Sequence, residues 1–395
     1  MRRRPHVTSI PALEGHQAPR RRAAAVGPDL SLLWMFLAGA LLMALASSAH
    51  GQTAGQTPEF RGEVTVNEVL LDALVTDREG HVILGLGPDD FSVREGNRPV
   101  ELTGVTFYSN RRYLGESGAA ALGIDPDAVP DRRYFILFFD DQRHNSLDAR
   151  GLLQRQMSAA RDAESWIREE LAPGDRVAVA SFDFKLKLHA DFTADRDALV
   201  AAVRAAAKGD EGRADWPSRR SDDDVGSLAG TLPTGKALRK ATPTIYEALQ
   251  TLAKAAAPIQ GRKNLVLFSI GFGDVNSLGQ YVRDTRYHRP TMEALNAANV
   301  AVYSVDLADA GTRHPFSDAL SEIALATGGR FFQNVVNFAT PLDQVSKTTN
   351  GYYLLSYRAE HPAGAEGFQE VEVEARNPEF RVTARSGYRY GDAAP

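Results

Sequence analysis

Two adjacent carboxylates, Asp140 and Asp141, follow directly on the apolar run Tyr134-Phe-Ile-Leu-Phe-Phe139. A run that is apolar at every position suits a strand covered on both faces of a parallel sheet. Acids at the carboxyl end of such a strand stand where open α/β sheets bind their ligands, so the pair marks a metal or ligand position. The plainer reading is that they cap a loop or the following helix, whose amino-terminal dipole favours acids. Two glycine-bearing segments imitate phosphate cradles. Gly230-Thr-Leu-Pro-Thr-Gly-Lys-Ala237 resembles a P-loop, but Ala237 stands where a Ser or Thr must reach Mg²⁺. The acidic Asp222-Asp-Asp-Val-Gly-Ser227 precedes it instead of a buried strand, so the segment reads as a mobile surface loop. Gly271-Phe-Gly273 follows a strand, yet the third glycine of a dinucleotide fingerprint is replaced by Asn276, which leaves a glycine turn. The sequence has no Gly-x-Ser-x-Gly elbow and no His-Glu-x-x-His, and its nine histidines are scattered. It has no cysteine, which excludes disulfides, zinc–thiolate sites and cysteine nucleophiles.

The elements that must position these residues alternate. Strand patterns occur at 134–139, 176–182, 185–189, 264–270, 300–305 and 329–332. Helical patterns occur at 147–171, 195–207, 244–257, 291–298, 317–327 and 338–349, and Pro173-Gly174 stops the first helix. Alternation of this kind predicts a mostly parallel sheet over 133–350, covered on both sides. Within it, 208–241 is rich in Asp, Arg, Ser and Gly and reads as a long structureless insertion. The flanks have strand period two. The amino-terminal module, 61–109, contains Val64 to Val75, the turn Asp77-Arg-Glu-Gly80, His81-Val-Ile-Leu84, Phe91-Ser-Val-Arg-Glu95 and Val100 to Tyr108. Residues 110–131 read as a linker. The carboxyl-terminal segment, 351–390, adds Tyr352-Tyr-Leu-Leu-Ser-Tyr357, Gln369-Glu-Val-Glu-Val-Glu374 and Phe380-Arg-Val-Thr-Ala384. The fold class expected is therefore α/β, a doubly wound sheet with β-sandwich segments contributed by both flanks; the alternative is three domains in a row.

With 395 residues, 43% hydrophobic and 24% charged, the chain has ordinary globular composition and length for two or three domains. Residues 1–52 have the layout of an export signal. Arg2-Arg3-Arg4 and Arg20-Arg21-Arg22 precede the apolar run Leu30 to Ala46, and Ser47 and Ala49 suit a small-residue cut. Cleavage is the expectation; an uncleaved anchor is the rival, and it is the only route to a membrane, since no other apolar run is long enough to span one. Six arginines against Glu14 and Asp29 give this segment +4, so the formal −5 of the chain becomes −9 for the remainder. An acidic mature protein lacks the clustered cations that phosphate backbones require, and no nucleic acid is expected as a partner. The expected location is exported: periplasm, cell envelope or outside the cell.

The order of several segments resembles one family, the VWFA-related proteins of Acidobacteria, secreted proteins with a von Willebrand factor type A domain. The segments are Val75-Thr-Asp-Arg-Glu-Gly80 with Asp89-Asp-Phe-Ser-Val-Arg-Glu-Gly96, then Phe192-Thr-Ala-Asp-Arg-Asp-Ala-Leu199, Gly261-Arg-Lys-Asn-Leu-Val-Leu-Phe-Ser269, Asn299-Val-Ala-Val-Tyr-Ser-Val-Asp306, Thr327-Gly-Gly-Arg-Phe-Phe332 and Gly387-Tyr-Arg-Tyr390. They span roughly residues 62–390. The resemblance implies a Rossmann-like von Willebrand A sheet and, at its carboxyl end, a metal-ion-dependent adhesion site for Mg²⁺ or Mn²⁺. Such an ion takes hard oxygen ligands and keeps one position for a partner's carboxylate. The family pattern is Asp-x-Ser-x-Ser, a Thr from a middle loop, and a last Asp. Here Asp140 keeps the first ligand, while Gln142 and His144 stand at the two serines. Shifting the frame to Asp141 places Arg143 and Asn145 there. Thr242 or Thr244 serves for the threonine. Ile270 stands at the last acid, with Asp274 four residues on as its substitute. The implied metal set is thus Asp140, Thr244 and Asp274, a degenerate site with weak Mg²⁺ or Mn²⁺ binding or no cofactor. With the ion lost, a protein partner is expected to meet Asp141, Gln142, Arg143 and Asn145 directly. The resulting function is a non-catalytic, adhesion-type binding module; the alternatives are a hydrolase or other enzyme with an unfamiliar site, and a structural envelope component. The sequence leaves the oligomeric state and the partner's identity open.

Overall fold

The computed structural model describes residues 64–109, 132–145, 148–210, 226–311, 314–349, 351–362 and 364–391. The export signal at 1–52 and the linker at 110–131 lie outside them. Strand β1 (Val64–Thr76) realises the period-two pattern in one unbroken element. Val69, Leu71, Ala73 and Val75 are buried on one side of it, as the alternation of Cβ directions requires. The strand expected at 81–84 reduces to a single bridge between Thr76 and Val82. Gly85 follows at φ 81°, a left-handed conformation that ends extended pairing. Next come β2 (Phe91–Glu95), β3 (Arg98–Val100) and β4 (Leu102–Ser109).

The α/β region follows, opening with β5 (Arg133–Asp140), α1 (Ala149–Glu169), β6 (Asp175–Phe182), β7 (Leu186–Thr193) and α2 (Arg196–Lys208). It continues through α3 (Gly235–Ala241), α4 (Ile245–Ala256), β8 (Lys263–Ser269) and the short hairpin β9 (Asp274–Val275) and β10 (Tyr281–Val282). It ends with α5 (His288–Ala297), β11 (Val300–Asp306), α6 (Ser317–Ala326), β12 (Arg330–Phe332) and α7 (Ala339–Thr348). The sheet order is β12-β11-β8-β5-β6-β7, with only the β6–β7 pairing antiparallel. Strand β5 shows why its sequence is apolar throughout. Tyr134, Ile136 and Phe138 enter the core beneath α4, α5 and α6, and Phe135, Leu137 and Phe139 the core beneath α1, α2 and α7. Each such fully buried side chain is worth about 1.5–3 kcal/mol of transfer free energy. The chain moves from β5 to β6 on one side and returns through β8 on the other, so the carboxyl ends of β5 and β8 flank the crevice of the topological switch point.

The remaining strands are β13 (Gly351–Pro362), β14 (Gly367–Ala375), β15 (Arg381–Ala384) and β16 (Gly387–Tyr390). They complete two four-stranded sheets, β15-β1-β13-β4 and β16-β14-β2-β3, each mixing strands from before and after the α/β region. Between them lies a separate core in which Tyr353 packs on Phe91 and Phe107, at centroid distances of 5.4 and 4.9 Å. The Tyr353 hydroxyl donates to the Ile83 carbonyl at 2.9 Å and accepts from the Leu86 amide at 3.1 Å, fixing the loop that replaced the expected strand. The chain therefore has the fold class read from its sequence: a doubly wound α/β sheet with β-sandwich segments from both flanks.

The turn Thr327-Gly-Gly329 shows how closely these layers meet. Gly328 ends α6 at φ 72°, and the Gly329 amide donates to the Ala324 carbonyl at 2.8 Å, the pattern of a glycine helix stop. A Cβ on Gly329 would lie 1.9 Å from the Val302 carbonyl oxygen of β11. Backbone cannot yield there without separating β12 from β11. Gly329→Ala is expected to cost about 3 kcal/mol or more, above the usual range for overpacking, read by urea unfolding of the full chain. A loss below about 1 kcal/mol would mean the turn moves freely.

Candidate functional site

Parallel pairing of β5 with β8 sets Asp140 beside Ser269, two strand ends far apart in sequence. The Ser269 hydroxyl donates to Asp140 Oδ2 at 2.6 Å, and the Gly271 amide donates back to Ser269 Oγ at 2.8 Å. Gln142 Nε2 donates to the same Asp140 oxygen at 2.6 Å and to the Gly271 carbonyl at 2.8 Å. A carbonyl can only accept, so the chemistry of its partners places the nitrogen of the Gln142 amide, not its oxygen, in this position. Asp140 is 1% exposed, and its Oδ1 is buried without a hydrogen-bond partner. Burial pushes the Asp140 carboxyl up to about 7; the donors Ser269 and Gln142 pull it down, and the charge of Asp141 adds to the rise.

Asp141 is locked in a different way. Its amide donates to the Phe182 carbonyl at 2.7 Å, across to β6. Its carboxylate takes a two-pronged contact from Arg143, Nε at 2.8 Å and Nη2 at 2.5 Å. The same guanidinium donates to the Lys208 carbonyl at 2.8 Å, at the end of α2, where a cation suits the helix dipole. Next to it, burial opposes the charge on Asp183, but the Lys187 ammonium at 2.9 Å and nearby amides hold that carboxyl below its ordinary value. Of the four residues expected to meet a partner, Asp141 is buried, and Gln142 and Arg143 are half-buried and tied into the loop; the side chain of Asn145 lies outside the described residues. The acid that caps α1 is Asp148, whose carboxylate accepts from the Gly151 amide at 2.9 Å, so neither Asp140 nor Asp141 serves as the helix cap.

Thr244 and Asp274 make no hydrogen bond to Asp140. Thr244 caps α4: its Oγ1 accepts from the Glu247 amide at 3.2 Å and donates to the Glu247 carboxylate at 2.9 Å. Thr242 is buried, accepting from the Leu186 amide and donating to the Leu238 carbonyl. Asp274 is exposed on β9. Among the described residues no group of three or more His, Cys, Asp or Glu side chains is arranged to hold a metal ion. The donor chemistry agrees. Two hydrogen-bond donors occupy Asp140 Oδ2, Oδ1 stands alone, and the guanidinium of Arg143 lies beside the site; a divalent ion needs several converging oxygens. The residues present do not fit Mg²⁺ at this position.

The segment 226–241 is not a loose loop. Asp191 of β7 accepts from Ser227 Oγ at 2.6 Å and from the amides of Leu228 and Ala229, and Leu228 is fully buried. Its second half forms α3, and no strand leads into the glycine segment among the described residues; residues 211–225 lie outside them. Other groups at the strand ends are not evident from the motifs. Asp306, last residue of β11, is buried and meets His314 Nε2 at 2.9 Å. Like Asp140, it is an acid that ends an apolar strand, a signal present in the sequence. Among the described residues one serine–histidine side-chain pair occurs, Ser181 Oγ to His189 Nε2 at 2.8 Å, and Ser181 is only 2% exposed.

Among polar residues, the carboxyl-end rim also exposes large apolar ones. Phe184, in the β6–β7 turn, is 61% exposed and packs on the His144 ring at 4.1 Å. The β9–β10 hairpin, which leaves the end of β8, carries Val275, Leu278 and Val282 exposed, Leu278 at 79%. Behind it Tyr246 packs on Phe272 and Tyr287, which ties the hairpin's base to α4 and α5.

No protein-family model matches the chain. No curated protein matches it either. Among solved structures, the chain is similar to an aerotolerance-related membrane protein of Bacteroides fragilis, with 12% identity over 55% of this chain and 98% of that one, at a TM-score of 0.34. BatB of Bacteroides thetaiotaomicron gives 13% identity over 55% and 97%, at 0.34. The vWF domain of the type V pilus tip protein Mfa5 of Porphyromonas gingivalis gives 14% identity over 56% and 96%, at 0.35. Similarity at this level transfers no residue role to this chain.

Proposed function

We propose that the chain is an exported, non-catalytic binding module of adhesion type, which docks a protein partner on the carboxyl-end rim of its α/β sheet without a resident metal ion. One observation carries the reading: the rim around the Asp140 loop presents Phe184, Val275, Leu278 and Val282 to solvent. Large apolar side chains left in water are candidate contacts for a partner, and aromatic residues are enriched at interface centres. The residues beneath are rigid. Asp140, Gln142 and Ser269 close one hydrogen-bonded ring and Asp141 and Arg143 another, so the rim is held in place before a partner arrives. Preorganisation of this kind lowers the entropic cost of binding. The basic, apolar and small-residue order of residues 1–52 supports export. The test is cross-linking and recovery from the cell envelope of the native host, comparing wild type with Phe184→Asp/Leu278→Asp. The double variant is expected to lose the specific partner at least ~10-fold, as when central apolar anchors are removed. Equal recovery by both proteins would move the interface elsewhere. Calorimetry with Mg²⁺ and Mn²⁺ is expected to show no saturable binding; binding abolished by Asp140→Ala would overturn the metal-free part of the proposal.

A further inference from the structure

A cavity of 870 Å³ lies at the opposite end of the α/β sheet, between the amino ends of its strands and the β15-β1-β13-β4 sheet. The sandwich contributes residues that alternate with its own core: Leu70, Asp72 and Leu74 of β1, and Tyr352 and Leu354 of β13. From below come Arg262 and Lys263 at the start of β8, and Arg385 from the turn after β15. The helices of a doubly wound sheet run opposite to its strands, so their carboxyl ends converge here. Each cation answers one of them or the turn just past it: Lys263 Nζ donates to the Ile259 carbonyl at 2.6 Å, Arg262 to the Gly328 carbonyl, and Arg385 Nη1 to the Asn296 carbonyl at 3.0 Å.

Helix ends account for those contacts but not for the charge. Asp72, which accepts from Asn299, is the carboxylate whose field acts on all three cations. Among these four groups three cations against one acid leave a formal excess of two, and Arg132 also lines the cavity; Lys263 is 2% exposed and Asp72 is 6% exposed. Burial lowers the Lys263 ammonium to about 8 and also lowers the Arg385 guanidinium, while burial on Arg262 is outweighed by Tyr303 and Asp72, which hold it above its ordinary value. Arg385 lines the cavity, and its Nε is buried without a hydrogen-bond partner, so its charge is not fully met by the protein. Arg133, at the same cavity, is already paired with Asp175 at 2.6 Å. Tyr108, Tyr352, Leu70, Leu74 and Leu354 give the lining an apolar side, with Tyr352 stacked on Tyr108 at 5.5 Å, while Gln260, Asn264 and Thr348 add neutral polar groups. The volume falls in the range of small-molecule sites, which combine apolar walls with a few placed polar groups.

We infer that this cavity binds a small organic anion, a carboxylate or phosphate head group on an apolar body, with the head at Arg262, Lys263 and Arg385 and the body against Tyr352 and Leu354. The head group supplies the missing negative charge. The apolar body occupies the side where β1 and β13 turn Leu70, Leu74 and Leu354 away from their own core. The site is independent of the docking rim, which lies at the other end of the sheet.

Calorimetry and thermal unfolding of the full chain with phenyl phosphate, phenylacetate and inorganic phosphate test this. At least one of the two aromatic anions is expected to bind saturably and raise Tm, by the mass-action stabilisation of a ligand that binds only the folded state. Inorganic phosphate should bind at least ~10-fold more weakly, a difference of about 1.4 kcal/mol. Phenyl phosphate stronger than phenylacetate assigns a phosphate head, and the reverse order a carboxylate. Lys263→Met keeps the apolar stem and removes the charge; Leu354→Trp fills the body's place and leaves every cation in position. Each should weaken binding at least ~10-fold while the far-ultraviolet dichroism stays that of wild type. Failure of both aromatic anions to bind, inorganic phosphate binding as tightly as they do, or undiminished binding in a folded Leu354→Trp protein would overturn the inference.

Discussion

Asp140 is expected to contribute stability that is lost as pH rises from about 4 to 7, and Asp140→Asn is expected to remove that loss. An aspartate in the unfolded chain titrates near 3.9, whereas burial holds Asp140 near about 7 in the folded protein. Between these values the native state keeps a proton that the unfolded state has released. Its contribution is therefore complete below the unfolded value and is lost as pH rises through the folded one. A shift of three units corresponds to about 4 kcal/mol, an upper figure for a group that keeps two donors when ionised. The geometry accommodates the proton: Oδ1 meets no donor, so protonation there displaces none of the bonds from Ser269 and Gln142. Urea unfolding of wild type and Asp140→Asn at several pH values reads the difference, which cancels the other titrating groups. The variant should be the more stable near pH 8 and lose that advantage near pH 4. Identical pH slopes in the two proteins would show that Asp140 is ionised throughout.

The second large effect belongs to Arg133. Its guanidinium meets Asp175 with Nε at 2.7 Å and Nη2 at 2.6 Å, and the two residues stand opposite each other at the starts of β5 and β6. Asp175 is 1% exposed, and its carboxylate also accepts from the Ala172 amide at 2.8 Å. Arg133 reaches further, donating through Nη1 to the Ser346 carbonyl of α7 at 3.0 Å. Arg133→Ala leaves a buried carboxylate without its counter-ion, a change that costs about 3–5 kcal/mol. Arg133→Ala with Asp175→Asn should cost less than the sum of the two single changes, because the stranded charge is gone. Unfolding midpoints in urea for the three variants provide the comparison. A single-variant loss below about 1 kcal/mol would mean that water reaches Asp175 in the native state.

Much of this architecture is written locally. Tyr134 to Phe139 are apolar at every position because both faces of β5 are covered, and Val69, Leu71, Ala73 and Val75 recur at every second position because only one face of β1 meets the sandwich core. Those periods are properties of neighbouring residues, so they can be read without knowing what packs against them. The same holds for Asp140 as a strand-end acid at the switch point.

What surrounds Asp140 is decided elsewhere in the chain. Ser269 arrives through the parallel pairing of β5 with β8, and the orientation of Gln142 follows from the Gly271 carbonyl that this pairing brings near. Arg143 reads as a displayed cation in sequence, yet Asp141 and the end of α2 draw it into the loop. Phe184 and Leu278 are ordinary apolar residues until the turns that carry them leave them uncovered. The cavity cations at 262, 263 and 385 are scattered charges in sequence; only the convergence of helix carboxyl ends beneath β1 and β13 makes them one electrostatic unit. The sequence by itself determined the long, strongly periodic elements and the faces they bury, since hydrophobic burial acts on each segment's own periodicity, but not the short ones at 81–84 and 235–241. Tertiary structure alone decided which polar groups meet, because hydrogen bonds and charge pairs act over a few ångströms between residues whose separation in sequence carries no trace of that distance.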